Sequence, residues 1–253
     1  MSVRIAFLAS EGVTAQEART KLVALYGNVE PQAADVIVAL GGDGFMLKTL
    51  LQTQAFSAPV YAMNRGTVGF LVNSFSEENL LQRIELAEEE IINPLSMRAM
   101  DRSGDLHQAL AINEVSLLRT GPQAAKLKIS VDGRPRLTDL VCDGAMVATP
   151  AGSTAYNYSA HGPILPIGSE VLALTAVAAF RPRRWRGALL PKNAEIRFDV
   201  LEPEKRPVMA EGDSAAVRDI DWVEVRSEAK IEHRILFDPG HGLNERLTSE
   251  QFT

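Results

Sequence analysis

Asp35-Val-Ile-Val-Ala-Leu-Gly-Gly-Asp-Gly44, running straight into Phe45-Met-Leu-Lys-Thr-Leu-Leu51, is the stretch on which the fold turns. Its first part is an apolar, β-branched run, the pattern of a strand buried on both faces of a parallel sheet. Its last part looks helical. The glycines between permit a tight turn and let a ligand come close to the backbone. The helix that follows offers free N–H groups and the positive end of its dipole, which suits phosphate. Asp43 is the anomaly, because a carboxylate beside phosphate is unfavourable if the turn only holds an anion. It makes chemical sense if it takes a proton from an attacking hydroxyl or helps to hold Mg²⁺. A glycine-rich turn with a helix-capping aspartate reads the same way, so this stretch alone leaves both readings open. No Walker A sequence and no protein-kinase loop set is present, which disfavours those nucleotide-binding classes.

On either side the alternation continues. Residues 3–9 read as a buried strand and residues 14–26 as a helix, with Ala18, Leu22, Val23 and Leu25 among its apolar positions. Residues 58–63 form a third strand, followed by the loop Asn64-Arg-Gly-Thr-Val-Gly69. Ser76-Glu-Glu-Asn79 opens a further helix with Ser76 as its N-cap. Such alternation implies a largely parallel sheet covered by helices. After Pro94 the pattern changes to short strands joined by polar turns. Residues 125–131 and 135–141 flank Asp132-Gly133, a strong hairpin signal. Residues 194–200, 208–211 and 222–226 continue in that style, which marks a second, β-rich domain. Residues 244–252 look helical again and are expected to pack back on the first domain, making it discontinuous.

Bulk properties narrow the function. The chain has 253 residues, 46% hydrophobic and 23% charged, enough to bury a core without disulfides or structural metal. A net charge of −6 argues against a nucleic-acid or acidic-membrane partner. The one strongly basic run is Arg181-Pro-Arg-Arg-Trp-Arg186, open to reading as a phosphate-donor patch, a subunit contact or a solvated loop. Cys142 is the only cysteine, so it has no disulfide partner within the chain, and no Cys/His cluster offers zinc ligands. It reads as a small strand residue without chemistry. The apolar N-terminus is too short for a membrane span and lacks secretory flanks. A reducing, cytoplasmic setting is the expectation.

Two further segments carry chemistry. In Asp143-Gly-Ala-Met-Val-Ala-Thr-Pro-Ala-Gly-Ser-Thr-Ala-Tyr-Asn-Tyr-Ser159 a strand runs into a small-residue turn and then a short helix. Gly152, Ser153 and Thr154 can offer hydrogen bonds at that helix start, and Tyr156 can meet a base; a capped turn with a core tyrosine is the plainer reading. In Ile112-Asn-Glu-Val115, adjacent Asn113 and Glu114 point to opposite faces of a strand, so at least one leaves the core. A buried pair needs partners, which a ligand's amide and hydroxyls would supply. Taken alone, the pair reads equally as an ordinary strand end.

Together these segments resemble the NAD kinase family over nearly the whole chain. The matching set is Gly41-Gly-Asp-Gly44, Asn64-Arg-Gly-Thr-Val-Gly-Phe-Leu71, Asn113-Glu114, Asp143-Gly144, Gly152-Ser-Thr-Ala-Tyr156 and Gly162-Pro-Ile-Leu165. Gly-Gly-Asp-Gly alone is shared with lipid kinases and phosphofructokinases; the ordered set is highly specific. The resemblance implies an α/β plus all-β architecture: a Rossmann-like domain over residues 1–94, completed by 238–253, and a β-rich, sandwich-like domain over 95–237, with dinucleotide bound between them. It implies that Asp43 is the catalytic base, that Gly44 approaches the dinucleotide and that Phe70 lies beside the adenosine. It implies that Asn113 and Glu114 recognise adenine and ribose groups and that Asp143 contacts the nicotinamide end. Ala151, Thr154, Ala155, Tyr156, Asn157, Tyr158 and Ser159 resemble the turn that wraps the ligand. Lys48, one helical turn after the glycines, is a weaker candidate for a phosphate contact, with a solvated helix-face lysine as the plainer reading. The resemblance also implies a homo-oligomer, a tetramer or a dimer.

The chain departs from the family in two places. Many members carry a Pro-rich segment with His and Ser before an Arg-Pro pair, where only Arg181-Pro182 stands here. Many have Asp-Gly-Gln where this chain has Glu211-Gly-Asp213, so Asp213 is either a ligand contact or a carboxylate with another purpose. The expected reaction is phosphorylation of the adenosine 2′-hydroxyl of NAD by ATP with Mg²⁺, giving NADP. No Lys or Arg is assigned to the γ-phosphate, which leaves the metal to do most of the neutralising. Another kinase of this turn type acting on a lipid or sphingoid base, and a non-catalytic NAD(P) sensor, are the alternatives.

Overall fold

The computed structural model describes residues 3–66, 69–183, 185–213, 215–240 and 242. Asn93–Lys230 form one compact unit, and the described residues up to Ile92 and from Ile231 form the other. In that first unit β1 (Ile5–Ala9), α1 (Val13–Tyr26), β2 (Val36–Gly41), α2 (Asp43–Thr53), β3 (Val60–Asn64), α3 (Leu80–Leu86) and β4 (Glu88–Ile92) follow in order. β1, β2 and β3 pair in parallel, as the alternation predicts. Every residue of β2 is buried, which is why its side chains are apolar on both faces. Ile5, Phe7, Val38, Leu40 and Tyr61 pack with Ala15, Ala18 and Leu22 of α1. Leu25, expected on that face, is 63% exposed, so the helix buries a narrower stripe.

Ser76 does not cap α3. Its hydroxyl accepts the Glu78 N–H at 3.1 Å in a local turn, and the helix begins later behind Asn79 in left-handed backbone. Such a bond competes with helix, as short hydroxyl side chains commonly do.

The second unit is all-β in its sheets. It contains β5 (Leu95–Asp101), β6 (Leu106–Ala111), β7 (Glu114–Arg119), β8 (Ala125–Val131), β9 (Arg134–Cys142), β10 (Gly144–Ala148), the short α4 (Tyr156–Ser159), β11 (Val171–Val177), β12 (Gly187–Pro191), β13 (Ile196–Val200), β14 (Val208–Gly212), β15 (Ala215–Val217) and β16 (Ile220–Ser227). Two six-stranded sheets run β12-β11-β10-β7-β14-β15 and β6-β5-β16-β13-β8-β9. One core joins them, with Val115, Leu117 and Val147 from the first sheet against Leu127, Ile196, Phe198 and Val223 from the second. The β8–β9 hairpin turns through Asp132 and Gly133, both at positive φ (51° and 71°), as an Asp-Gly turn requires.

β17 (His233–Phe237) rejoins the first unit, parallel to β3 and antiparallel to β4. The chain thus re-enters that unit at Ile231, ahead of residue 238, because Ile235, Leu236 and Phe237 are buried there. The helix expected over residues 244–252 lies outside the described residues. No helix among the described residues is long and apolar enough to cross a membrane.

Candidate active site

The parallel sheet delivers Gly41 to the end of β2, and α2 starts with Asp43 behind Gly42. A Cβ on Gly41 would lie 2.7 Å from Phe45 Cβ, so only glycine lets α2 fold back this tightly. The Asp43 carboxylate is half-buried and fixed. Its Oδ2 accepts the Phe70 N–H at 2.6 Å and its Oδ1 the Leu71 N–H at 2.8 Å. It thereby ties the loop after β3 to the turn after β2. A side chain at Gly69 would collide with Val72 and crowd Asp43 Oδ1 at 3.0 Å. An ionised carboxylate offers about four lone-pair sites, so Asp43 keeps acceptor capacity after both amides are served. Gly44 is exposed with open space around it, Phe70 is half-buried, and Lys48 stands exposed one turn further along α2.

In the second unit the start of β7 is the organising element. Thr149 N–H donates to the Asn113 carbonyl at 2.9 Å, and Thr149 Oγ1 donates to the Ile112 carbonyl at 2.7 Å. That hydroxyl also accepts the Gly152 N–H at 3.0 Å. A side chain on Gly152 would collide with the Asn113 carbonyl, so the turn 151–154 packs directly on the strand start. The Asn113 side-chain amide makes no hydrogen bond to the described residues. Glu114 Oε2 is buried without a partner among them. Burial, then the charges of Asp213 and Glu211, push the Glu114 carboxyl up to about 7. Burial also raises Tyr156, with Glu114 and then Asp143 adding to it, which places these three in one electrostatic neighbourhood. Asp143 takes the Arg119 Nε–H at 2.6 Å in a partly exposed pair.

Two family models match the chain. The ATP-NAD kinase N-terminal domain covers residues 6–90, and the ATP-NAD kinase C-terminal domain covers residues 112–231. An NAD kinase of Cereibacter sphaeroides is 64% identical over 249 residues, covering 98% of each chain. One from Caulobacter vibrioides is 57% identical over 250 residues, covering 99% of this chain and 96% of the relative. This chain belongs to the NAD kinase family. Two solved structures show the same fold. Yeast NADH kinase, complexed with NADH, has a TM-score of 0.85 at 20% identity over 100% of this chain and 88% of its own. An NAD kinase from Archaeoglobus fulgidus, in complex with ATP, has a TM-score of 0.77 at 24% identity over 97% and 99%. The chain is an enzyme of this family, making NADP from NAD with ATP. That displaces the lipid-kinase and sensor alternatives.

Within the NAD kinase fold the residues read from the sequence fall into groups. Asp43, Gly44, Lys48 and Phe70 sit at or beside the β2–α2 turn. Asn113, Glu114, Tyr156 and Asp213 converge around the start of β7, with Ala151 in the adjoining turn, whereas Asp143 lies beside Arg119 at the other end of that strand. Thr154 and Ala155 are half-buried beside them, and Tyr158 and Ser159 are exposed. Asn157 is fully buried, and its amide is consumed inside the protein. Nδ2 donates to the Ser153 and Pro163 carbonyls at 3.0 and 2.9 Å, and Oδ1 accepts the Thr175 hydroxyl at 2.6 Å. Its side chain holds the turn in shape. Asp213 likewise aims its carboxylate inward, at the backbone of Ile112 and Asn113. Nothing local in the sequence marks Thr149 or Arg119, because their partners are distant in the chain. In the basic run, Arg181, Arg183 and Arg186 are exposed while Trp185 packs against the core; Arg184 lies outside the described residues. Cys142 is buried, its thiol pushed up to about 12 by burial, as suits an inert strand residue. A cavity of about 200 Å³ lined by Leu50, Thr53, Phe56, Val60 and His233 lies at the far end of α2 from Asp43.

Proposed function

We propose that Asp43 is the general base of the kinase reaction and that Asn113 and Glu114 recognise the dinucleotide. The observation that carries this reading is the fixed Asp43 carboxylate at the start of α2, held by two amides and without a cationic partner among the described residues. The adenosine 2′-hydroxyl gives its proton to Asp43 as its oxygen bonds to the γ-phosphorus. The bond between that phosphorus and the β–γ bridging oxygen breaks, and ADP leaves. Positioning and charge placement account for most catalysis of this type. Gly44 and Phe70 flank the acceptor, Lys48 is the candidate phosphate contact, and Asp143, Ala151, Thr154, Ala155, Tyr156, Tyr158 and Ser159 border the ligand. Asn157 and Asp213 serve that border through the backbone they hold.

No group of three or more His, Cys, Asp or Glu among the described residues could hold a metal. Mg²⁺ carried on the triphosphate needs only one or two carboxylates beside phosphate oxygens, and Asp43 fits that need. Such an ion supplies neutralisation of charge on the transferring phosphoryl group. Purified protein with NAD, ATP and Mg²⁺ forms NADP, chelation stops it and added metal restores it; turnover that persists under chelation removes the metal from this reading. Asp43→Asn tests the base, with turnover lost while NAD still binds.

A cytoplasmic setting is supported by a single, buried cysteine. A dimer or tetramer is supported by the edge strand β12, on which Leu189 is 57% exposed. Sedimentation as a monomer at working concentration would overturn self-association.

A further inference from the structure

β14 and β7 run antiparallel with Gly212 opposite Val115. One residue later the ladder ends, because Asp213 takes left-handed backbone at φ 41° and turns the chain toward β15. The amides just before β7 therefore meet no carbonyl of β14. The Asp213 carboxylate takes the place of those carbonyls. Ile112 N–H donates to its Oδ2 and Asn113 N–H to its Oδ1 at 3.3 Å, and the Glu114 amide also stabilises its charge. From the opposite side Thr149 serves the carbonyls of Ile112 and Asn113. Both backbone groups of each residue are thus held, one edge by Asp213 and the other by Thr149. What remains uncommitted among the described residues is the Asn113 amide and the buried Glu114 Oε2.

We propose that Asp213 is a positioning residue for dinucleotide recognition: its carboxylate fixes the backbone of Ile112, Asn113 and Glu114 so that the Asn113 amide and the Glu114 carboxyl meet the ligand in one geometry, without touching the ligand itself. The inference rests on the reading that Asn113 and Glu114 recognise NAD. Burying a carboxylate is costly unless its oxygens are satisfied, and here the strand start satisfies them. The same charge acts on Glu114. Among the described residues, three titratable groups face that carboxyl: Asp213 and Glu211 from the β14 side and Tyr156 from α4. The two carboxylates favour its neutral form.

A double-mutant cycle on the full-length protein tests this. Asp213→Asn keeps the size but offers one acceptor where two amides need one each, and it removes the charge. NAD affinity, measured by calorimetry without ATP, is expected to fall about tenfold, the worth of a typical lost charged hydrogen bond. The KM for ATP is expected to hold. In an Asn113→Ala background the same change is expected to cost much less, because Asp213 acts through that segment. The pH profile of NAD affinity shifts to lower pH, since one negative charge near Glu114 is gone. Additive losses in the cycle overturn the proposal in favour of direct contact. Unchanged NAD affinity in Asp213→Asn, while Asn113→Ala weakens binding, overturns it in favour of a purely structural carboxylate. If Asn113→Ala and Glu114→Ala also leave affinity unchanged, the recognition reading has failed and the inference falls with it. If Asp213→Asn does not fold, the wild-type protein decides: the Ile112 and Asn113 amide resonances must shift together in an acid titration, and independent behaviour overturns the proposal.

Discussion

Both oxygens of Asp43 accept backbone N–H groups from the 70–71 segment, so its removal is felt in structure as well as in chemistry. Asp43→Asn turns one acceptor oxygen into a donor facing a donor, which costs about 1–3 kcal/mol of stability. If Asp43 is also the base, turnover falls by roughly 10²–10⁴ in protein that remains folded at assay temperature. NAD affinity holds or improves, because a negative charge near phosphates is lost. Partial rescue by raised Mg²⁺ or Mn²⁺ would mark a metal-holding carboxylate, and near-normal turnover would remove Asp43 from catalysis. Glu114 carries a different signature. Its carboxyl is pushed up to about 7, and NAD brings further negative charge toward it, so binding favours the neutral acid. NAD affinity of the wild-type protein is therefore expected to fall as pH rises through about 7, while Glu114→Gln, which mimics the protonated acid, stays flat. Calorimetry on both proteins across that range checks it; parallel pH profiles would rule out Glu114 as the titrating group. Asn113→Ala loses about 1–3 kcal/mol of NAD binding at any pH, since an amide has no charge to titrate.

Two glycines separate stability from recognition. Gly133 sits at φ 71° in the β8–β9 hairpin with open space around it, so Gly133→Ala costs about 1–2 kcal/mol of stability, the usual penalty for left-handed backbone. It should leave the KM for NAD alone. Gly152 has ordinary backbone but lies against the Asn113 carbonyl. Gly152→Ala must push the turn 151–154 off the start of β7, at about 1–3 kcal/mol for overpacking, and should raise the KM for NAD as well. Melting temperature and KM for both variants check the contrast, and equal kinetic behaviour would count against the turn as part of the recognition edge. The same elements show what could be read in advance. β2, its glycine turn and α2 were legible because an apolar run, glycines and a helical pattern coincide within one short stretch. The Asp132-Gly133 hairpin was legible because its backbone demand is local. β4 was not, since Glu88-Glu-Glu contradicts a strand pattern; it survives as an edge strand, with Glu89 paired to Arg234 of β17 at 2.6 Å. The clamp of Asp213 and Thr149 on Ile112 and Asn113 was not legible either, because it joins residues far apart in sequence, and no local pattern records which backbone groups the ladder leaves unmet.

Across the whole molecule the two units carry buried titratable groups of opposite sign. In the first unit, burial alone lowers His233 from 6.5 to about 4. A lowered histidine is neutral in the fold, so its contribution is fully present above pH 6.5 and is lost as pH falls toward 4. In the second unit Glu114 is raised from 4.5 to about 7. A raised carboxyl contributes fully below pH 4.5, and that contribution is lost as pH rises toward 7; Asp213, also raised, acts in the same direction. Glu90 in the first unit is raised as well and partly offsets His233. The carboxylates held low by surface partners, Asp35, Asp101 and Glu202, act below this window. Each of the two large shifts corresponds to an effect on the order of 3 kcal/mol. In the wild-type protein they oppose one another, and the melting temperature should vary little between about pH 4.5 and pH 6.5. Glu114→Gln removes the term that falls with pH, so its melting temperature should climb across that range. His233→Leu removes the term that rises, so its melting temperature should decline. Thermal melts of the three proteins in matched buffers measure this directly. A flat melting temperature in either variant would mean that the group left in it, Glu114 or His233, titrates at its ordinary value in the fold, and the other variant would then match the wild type.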